Sequence, residues 1–324
     1  MQSPPHLSSQ EKEKEREKEK EKEKEAKLLN PNPNPNRSPS SSYSPSSSAT
    51  RLWKPAAQRN LRNQWSKYLS QKDRWISASS NGRSHATSLV NAYLSQRYVP
   101  EMELGVLSEM PGIRHKACEK LALQQEQYQS KLLSCYRDMV DVVCHMKNVS
   151  TSMRCFLKGS ADSPLVQFGN HPEDSNDSGD GGGIPVFSIL SIPSFENLGQ
   201  ELLQMFVLEL CLKRLLVVEL LSISCKESPK GQTSRLSWSD ELYLGEFDDL
   251  SSINLYSDKQ CQPVAPRIIG WEFGCPTSGR TDHVPDREIL QVYLTAWLVE
   301  VNIDWQRVDQ IFALVGEEMH INLS

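Results

Sequence analysis

From Cys118 onward, apolar side chains recur at alternating steps of three and four residues: Cys118, Leu121, Gln125, Tyr128, Leu132, Cys135, Met139, Val142, Met146, Val149, Met153 and Phe156. No Gly or Pro interrupts them, and only Gln125 is strongly polar. A repeat of 3.5 residues keeps one seam of a helix turned toward a partner helix, so this is a coiled-coil pattern. It predicts one helix from Ile113 to Lys158, about 65–70 Å long at 1.5 Å per residue. Such a helix cannot cover its own seam. Tyr128, Leu132, Met139, Val142, Met146 and Val149 are therefore the candidate partner-binding residues, competing with a role in the chain's own core.

The flanking pattern is also helical. Trp65, Tyr68, Leu69, Lys72, Trp75 and Ile76 share one face at three- and four-residue steps. Asn81-Gly82 predicts a break, after which Ser84 caps a short helix carrying Leu89, Val90, Tyr93 and Leu94. Pro100 and Pro111-Gly112 punctuate the chain before the seam helix. Pro193-Ser194 starts a further helix, with Ser194 as N-cap. Phe195, Leu198, Leu202, Met205, Leu212 and Leu216 line one face, and Leu203, Phe206, Leu210, Val217 and Leu221 line the other. A helix apolar on both faces belongs in the centre of a bundle, here paired with the seam helix. Asp286 and Asp304 are natural N-caps for two last helices, Asp286–Glu300 and Asp304–Met319. The expected fold is all-α, an elongated helical bundle or coiled-coil hairpin with a disordered N-terminal tail and long loops.

Composition divides the 324 residues into segments. Residues 1–58 hold a Glu/Lys alternation (Glu11–Lys27), Asn-Pro repeats and a Ser-rich tract, and are expected to be disordered. Residues 59–225 form the helical core, with a linker at 159–185. Residues 226–284 read as an acidic flexible insertion, mostly loop, and 285–324 as a helical pair packed on the core. Residues 51–158 carry 17 Lys or Arg against 8 acids, whereas 159–324 carry 10 against 25. This asymmetry allows the halves to attract each other or different partners. The most apolar stretch, Leu198–Ile223, contains Glu209, Lys213, Arg214 and Glu219, which makes it a buried helix and not a membrane span. Eight scattered cysteines without CxxC spacing suggest reduced thiols in the cytosol or nucleus.

Little of this composition carries chemistry. Asp174–Asp180 resembles the start of a calcium loop, but its twelfth position is Pro185, where a bidentate Glu is required. Gly179–Gly183 lacks the Lys-Ser/Thr of a phosphate-binding loop. His115 with Cys118, or Cys144 with His145, falls short of four converging zinc ligands. Asp248-Asp249 lies in an expected loop with nothing to hold it rigid. No catalytic residue, cofactor or metal is expected. The remaining chemical option is nucleic acid: Arg51 to Arg97 holds nine basic residues against Asp73 alone, interleaved with Trp53, Trp65 and Trp75. Ser38, Ser44, Ser163 and Ser228 each precede Pro in expected loops and are candidate phosphorylation sites.

Two C-terminal segments carry a resemblance. Phe195-Glu-Asn-Leu-Gly-Gln-Glu-Leu-Leu-Gln-Met-Phe206, continuing through Leu208-Glu-Leu-Cys-Leu-Lys-Arg214 and Glu219-Leu220, resembles a stretch of the cyclin-dependent kinase 2-interacting protein family. So does Pro285-Asp286 followed by Tyr293-Leu-Thr-Ala-Trp297-Leu298. The region around Trp75 and the long helix before a loop agree in order, so the similarity covers most of 60–160, 185–225 and 285–319. The N-terminal tail and the 226–284 insertion have no counterpart in the short animal members. The resemblance implies a non-catalytic nuclear protein binding cell-cycle kinases and replication or checkpoint factors. It also implies a place as a subunit of an AAA-ATPase assembly in replication or ribosome maturation, with a second coiled-coil subunit and an AAA ATPase as partners. It offers no catalytic residue.

Overall fold

The computed structural model describes residues 47–158, 165–169, 177–223, 236–269 and 285–323. Among these the fold is all-α, with six helices and two short antiparallel hairpins. Helix α1 (Ser47–Tyr98) and helix α2 (Ile113–Thr151) form a long antiparallel pair. Strands β1 (Cys155–Lys158) and β2 (Leu165–Phe168) follow, pairing Cys155 with Phe168 and Lys158 with Leu165. Helix α3 (Ile192–Leu221) is next, then the short α4 (Glu246–Ser252), and strands β3 (Tyr256–Ser257) and β4 (Gln262–Pro263). Helices α5 (Arg287–Val299) and α6 (Trp305–Met319) complete the order. None of the described helices is long and apolar enough to cross a membrane.

The break expected at Asn81-Gly82 does not occur, and α1 runs through it. Gly82 is there for close packing. A Cβ built on it would lie 2.6 Å from Cζ2 of Trp297, so α5 approaches α1 only because the side chain is missing. The short helix expected from Ser84 is thus the last part of α1. Its start also lies upstream of the expected Arg59. The helix continues through the exposed Pro55, with Trp53 and Ala57 buried on either side of it. Their burial offsets the backbone hydrogen bond that proline cannot make.

The seam helix is shorter than its repeat suggests, ending at Thr151 and not Lys158. The hydroxyls of Thr151 and Ser152 both reach the Asn148 carbonyl, at 3.1 and 2.6 Å, competing with the backbone ladder. The last two seam positions, Met153 and Phe156, stay buried beyond the end of the helix, Phe156 within β1. Cys155 N–H donates to the Gly179 carbonyl, and Leu157 N–H to Asp177 Oδ2 at 2.6 Å. Part of the expected linker is therefore folded. Gly181, at φ 66°, lies where a Cβ would fall 2.1 Å from the Trp53 ring. Trp53 Nε1 itself donates to the Cys155 carbonyl at 2.7 Å.

The seam helix pairs mainly with α1 and also packs on α3, as expected. Three contacts spaced along the pair show its antiparallel register. Asn60 Nδ2 donates to the Ser152 carbonyl at 2.9 Å, Arg74 pairs with Asp141 at 2.7 Å, and Gln125 hydrogen-bonds Gln96. Helix α3 packs alongside both. Tyr68 Oη donates to the Gly199 carbonyl at 3.0 Å, and the Trp75 ring meets Phe206 edge-on at 5.2 Å. The N-cap of α3 is Ser191, and Ser194 sits inside the first turn after Pro193. The two aspartate caps hold: Asp286 accepts from Ile289 N–H and Asp304 from Arg307 N–H, both at 3.0 Å.

The acidic insertion is less loop-like than expected. Residues 236–264 fold onto the core through α4 and the β3–β4 hairpin, burying Glu246, Leu250, Ile253 and Leu255. One hydrophobic cluster contains members of all six helices.

Candidate protein-interaction site

The charges on α3 organise the interior. Glu209, Lys213 and Arg214 are each at most 1% exposed. Lys213 Nζ donates to the Trp297 carbonyl, lies 3.4 Å from Glu209 and 3.6 Å from Glu300, and sits over the Trp297 ring. Glu300 also accepts from Trp75 Nε1 at 3.2 Å, Ser79 Oγ at 2.6 Å and Trp305 Nε1 at 3.2 Å. Burial pushes the Lys213 ammonium down and the Glu209 carboxyl up from their ordinary ranges. The next residue, Arg214, forks onto Glu246 at 2.8 and 3.2 Å, and Tyr136 Oη donates to the same carboxylate at 2.7 Å. Burial, ahead of the Glu246 charge, pushes the Tyr136 hydroxyl well up. These groups are spent on each other. They clamp α1, α2, α4 and α5 onto α3 and hold nothing out toward a substrate.

Surface clefts carry no better case. One cleft of about 850 Å³ between α1 and α6 is lined by Lys72, Phe312, Gly316, His320 and Leu323. Lys72 is already engaged there, 4.9 Å above the Phe312 ring and 3.8 Å from Asp309. Among the described residues there is no cluster of three His, Cys, Asp or Glu able to hold a metal ion.

The candidate partner-binding residues of the seam are mostly enclosed. Leu132, Met139 and Val142 are fully buried, and Met146 and Val149 nearly so. Tyr128 is half-buried, with Lys131 over its ring at 5.9 Å. The five buried residues therefore belong to the intramolecular core, because α1 and α3 close over them, and a partner protein cannot reach them in this state. The tryptophans of the basic strip share that fate: Trp53, Trp65 and Trp75 are 0–3% exposed and cannot stack on bases. Several basic residues are occupied as well. Arg62 donates to the Met319 carbonyl at 3.2 Å and lies over Phe187, and Arg74 pairs with Asp141. Ser38, Ser44, Ser163 and Ser228 lie outside the described residues, as do Asp174 and Asn176 of the calcium-loop-like segment. Its Asp177 caps the backbone N–H of Leu157 and Gly179.

Among the described residues, what remains uncovered is the far end of the α1–α2 pair. Helix α3 stops where Gln129 Nε2 donates to the carbonyls of Leu221 and Ile223, each at 3.2 Å. From Gln129 to Ile113 the pair continues for about 24 Å, and no residue from 95 to 127 belongs to the hydrophobic cluster. The seam positions Cys118 and Leu121 are only half-buried on this arm. Its tip, residues 99–112, contains a single 3₁₀ turn at Gly105–Glu109 and is tied back by Arg114, which donates to the Met102 carbonyl at 2.6 Å. Met102 and Met110 are half exposed, Val106 is 89% exposed, and Tyr98 and Leu107 are exposed beside them. Sequence reading passed over this segment because its apolar residues follow neither helical nor strand periodicity. Their only signal is an apolar, proline-bounded stretch where a polar loop is usual.

No protein-family model matches the chain, and no curated protein sequence matches it.

Proposed function

We propose that this chain is a non-catalytic nuclear adaptor that presents the tip of the α1–α2 arm to other proteins. The observation that carries the reading is the exposed apolar group Tyr98, Met102, Val106, Leu107 and Met110 on an arm standing clear of the core. Large apolar side chains left exposed together in one short segment often mark a protein-binding site. The resemblance to the cyclin-dependent kinase 2-interacting protein family supplies the partner classes: cell-cycle kinases, replication or checkpoint factors, a second coiled-coil subunit and an AAA ATPase.

Affinity purification from nuclear extract followed by mass spectrometry tests this, comparing the native chain with Val106→Asp and Met110→Asp. We expect partners of these classes with the native chain and their loss with both variants. Retention of the same partners by the variants rules out the tip, and turnover of a nucleotide by the purified chain alone rules out a purely non-catalytic role.

One observation favours a second reading, binding of nucleic acid. Arg59 and Lys67, two helical turns apart on α1, are exposed and have no partner among the described residues. With the tryptophans buried, this contact would be to phosphates alone. A gel shift lost steeply with salt, and lost on Arg59→Gln plus Lys67→Gln, supports it.

A further inference from the structure

The tip is acidic as well as apolar. Residues 98–112 contain Glu101, Glu103 and Glu109 and no Lys, Arg or His. All three glutamates are exposed, and none is paired among the described residues. Of the two cations that flank the segment, Arg97 is exposed in the last turn of α1 and Arg114 is turned onto the Met102 carbonyl. Two of the exposed apolar residues are methionines, whose unbranched, polarisable side chains adapt to apolar surfaces of different shape. The ladder of buried seam residues also stops short, leaving half-buried Cys118 and Leu121 and exposed Leu123 on the arm below the tip.

We propose that the occupant of this tip is a basic amphipathic helix of a partner protein. Its apolar face covers Met102, Val106, Leu107 and Met110, and its Lys or Arg residues meet Glu101, Glu103 and Glu109. This rests on the adaptor reading and adds the chemistry of the partner. An apolar patch alone accepts many surfaces. Three unpaired carboxylates around it repel acidic ones and favour basic ones, through association rate and specificity more than through net affinity. A helix suits the site because adding it converts the exposed end of a two-helix pair into a three-helix arrangement like that formed by α1, α2 and α3 further down.

Fluorescence anisotropy with the full chain and defined peptides is the test. The probe is a labelled Leu/Lys amphipathic helix of about five turns. A Leu/Glu helix and a scrambled Leu/Lys peptide of the same composition are the comparators. We expect the Leu/Lys helix to bind at least about tenfold more tightly than either comparator. Val106→Asp plus Met110→Asp should weaken it by a similar factor, and so should Glu101→Lys, Glu103→Lys and Glu109→Lys together. Only the charge-dependent part should fade as salt rises. These side chains are exposed, so the variants keep the native circular dichroism. Equal binding of the Leu/Glu helix, or unchanged binding by both sets of variants, overturns the proposal. Concentration-dependent dimerisation of the native chain, abolished by Val106→Asp, overturns it too and makes a second copy the occupant. If Val106→Asp removes nuclear partners while the Leu/Lys helix never binds, the adaptor reading stands and the basic helix falls.

Discussion

Glu246 offers the sharpest test of how the acidic segment joins the core. Its carboxylate receives Arg214 Nε at 2.8 Å, Arg214 Nη2 at 3.2 Å, Tyr136 Oη at 2.7 Å and the Leu242 N–H at 2.7 Å. The remaining Arg214 donors go to the carbonyls of Trp238 and Asp240, each at 2.8 Å, and the guanidinium lies over the Trp238 ring. Neither charged residue is more than 1% exposed. Glu246→Ala therefore strands a buried cation with only neutral acceptors. Breaking one side of a buried ion pair costs about 3–5 kcal/mol, far above the ~0–1 kcal/mol for a surface pair such as Arg74–Asp141. The loss should be local first. Residues 236–264 should release, with rapid amide exchange over α4 and a change in Trp238 emission before the main urea transition. Arg214→Met with Glu246→Leu removes both charges and should recover part of that loss, the remainder being the hydrogen bonds that Tyr136 Oη and the Leu242 N–H no longer make. If Glu246→Ala costs less than about 1 kcal/mol, or the double variant is as unstable as the single, the pair does not fasten this segment.

Two further outcomes follow from the interior. Gly82→Leu gains about 1 kcal/mol of helix propensity but drives a side chain into Trp297, so thermal melts should show a net loss of about 2 kcal/mol. Asn81→Leu, one residue away and exposed, should stay within about 0.5 kcal/mol. Lys213→Met removes the ammonium that holds the Glu209 carboxyl down against its burial. The contribution of a carboxyl whose folded value lies above its unfolded one is fully present below the unfolded value and is lost as pH rises through the folded one. The deficit should therefore be small near pH 4.5 and grow toward about 3–5 kcal/mol at neutral pH, read from urea midpoints at several pH values. A deficit that shrinks as pH rises contradicts this assignment.

The all-α class, the burial of the seam and the caps at Asp286 and Asp304 were legible because each depends on neighbours within a few residues. Burial on one helical face repeats every 3.5 residues whatever lies opposite, so Leu132 to Val149 were recognisable as an interface. The identity of the opposing surface was not. Trp65 and Trp75 supplied a good stripe, but nothing local showed that their helix would be the main partner of the seam helix, ahead of 194–222. The repeat also ran on through Met153 and Phe156, which kept their burial after the helix had ended. The arm tip was missed for the converse reason: exposure at the end of a hairpin leaves no period to read.

Local chemistry along the chain determined which segments become helices, where two of them begin and which faces must be covered. Capping, periodicity and charge placement act over distances the sequence displays directly. The tertiary structure decided what covers each face. It made Gly82 a packing site instead of a break, because Trp297 comes to rest against it. It paired Arg214 with a glutamate of the acidic segment and enclosed nearly all of the seam. It left one end of the α1–α2 pair bare because α3 runs out at Gln129. Those outcomes depend on residues brought together from distant parts of the chain, and only the packed fold sets which of them meet.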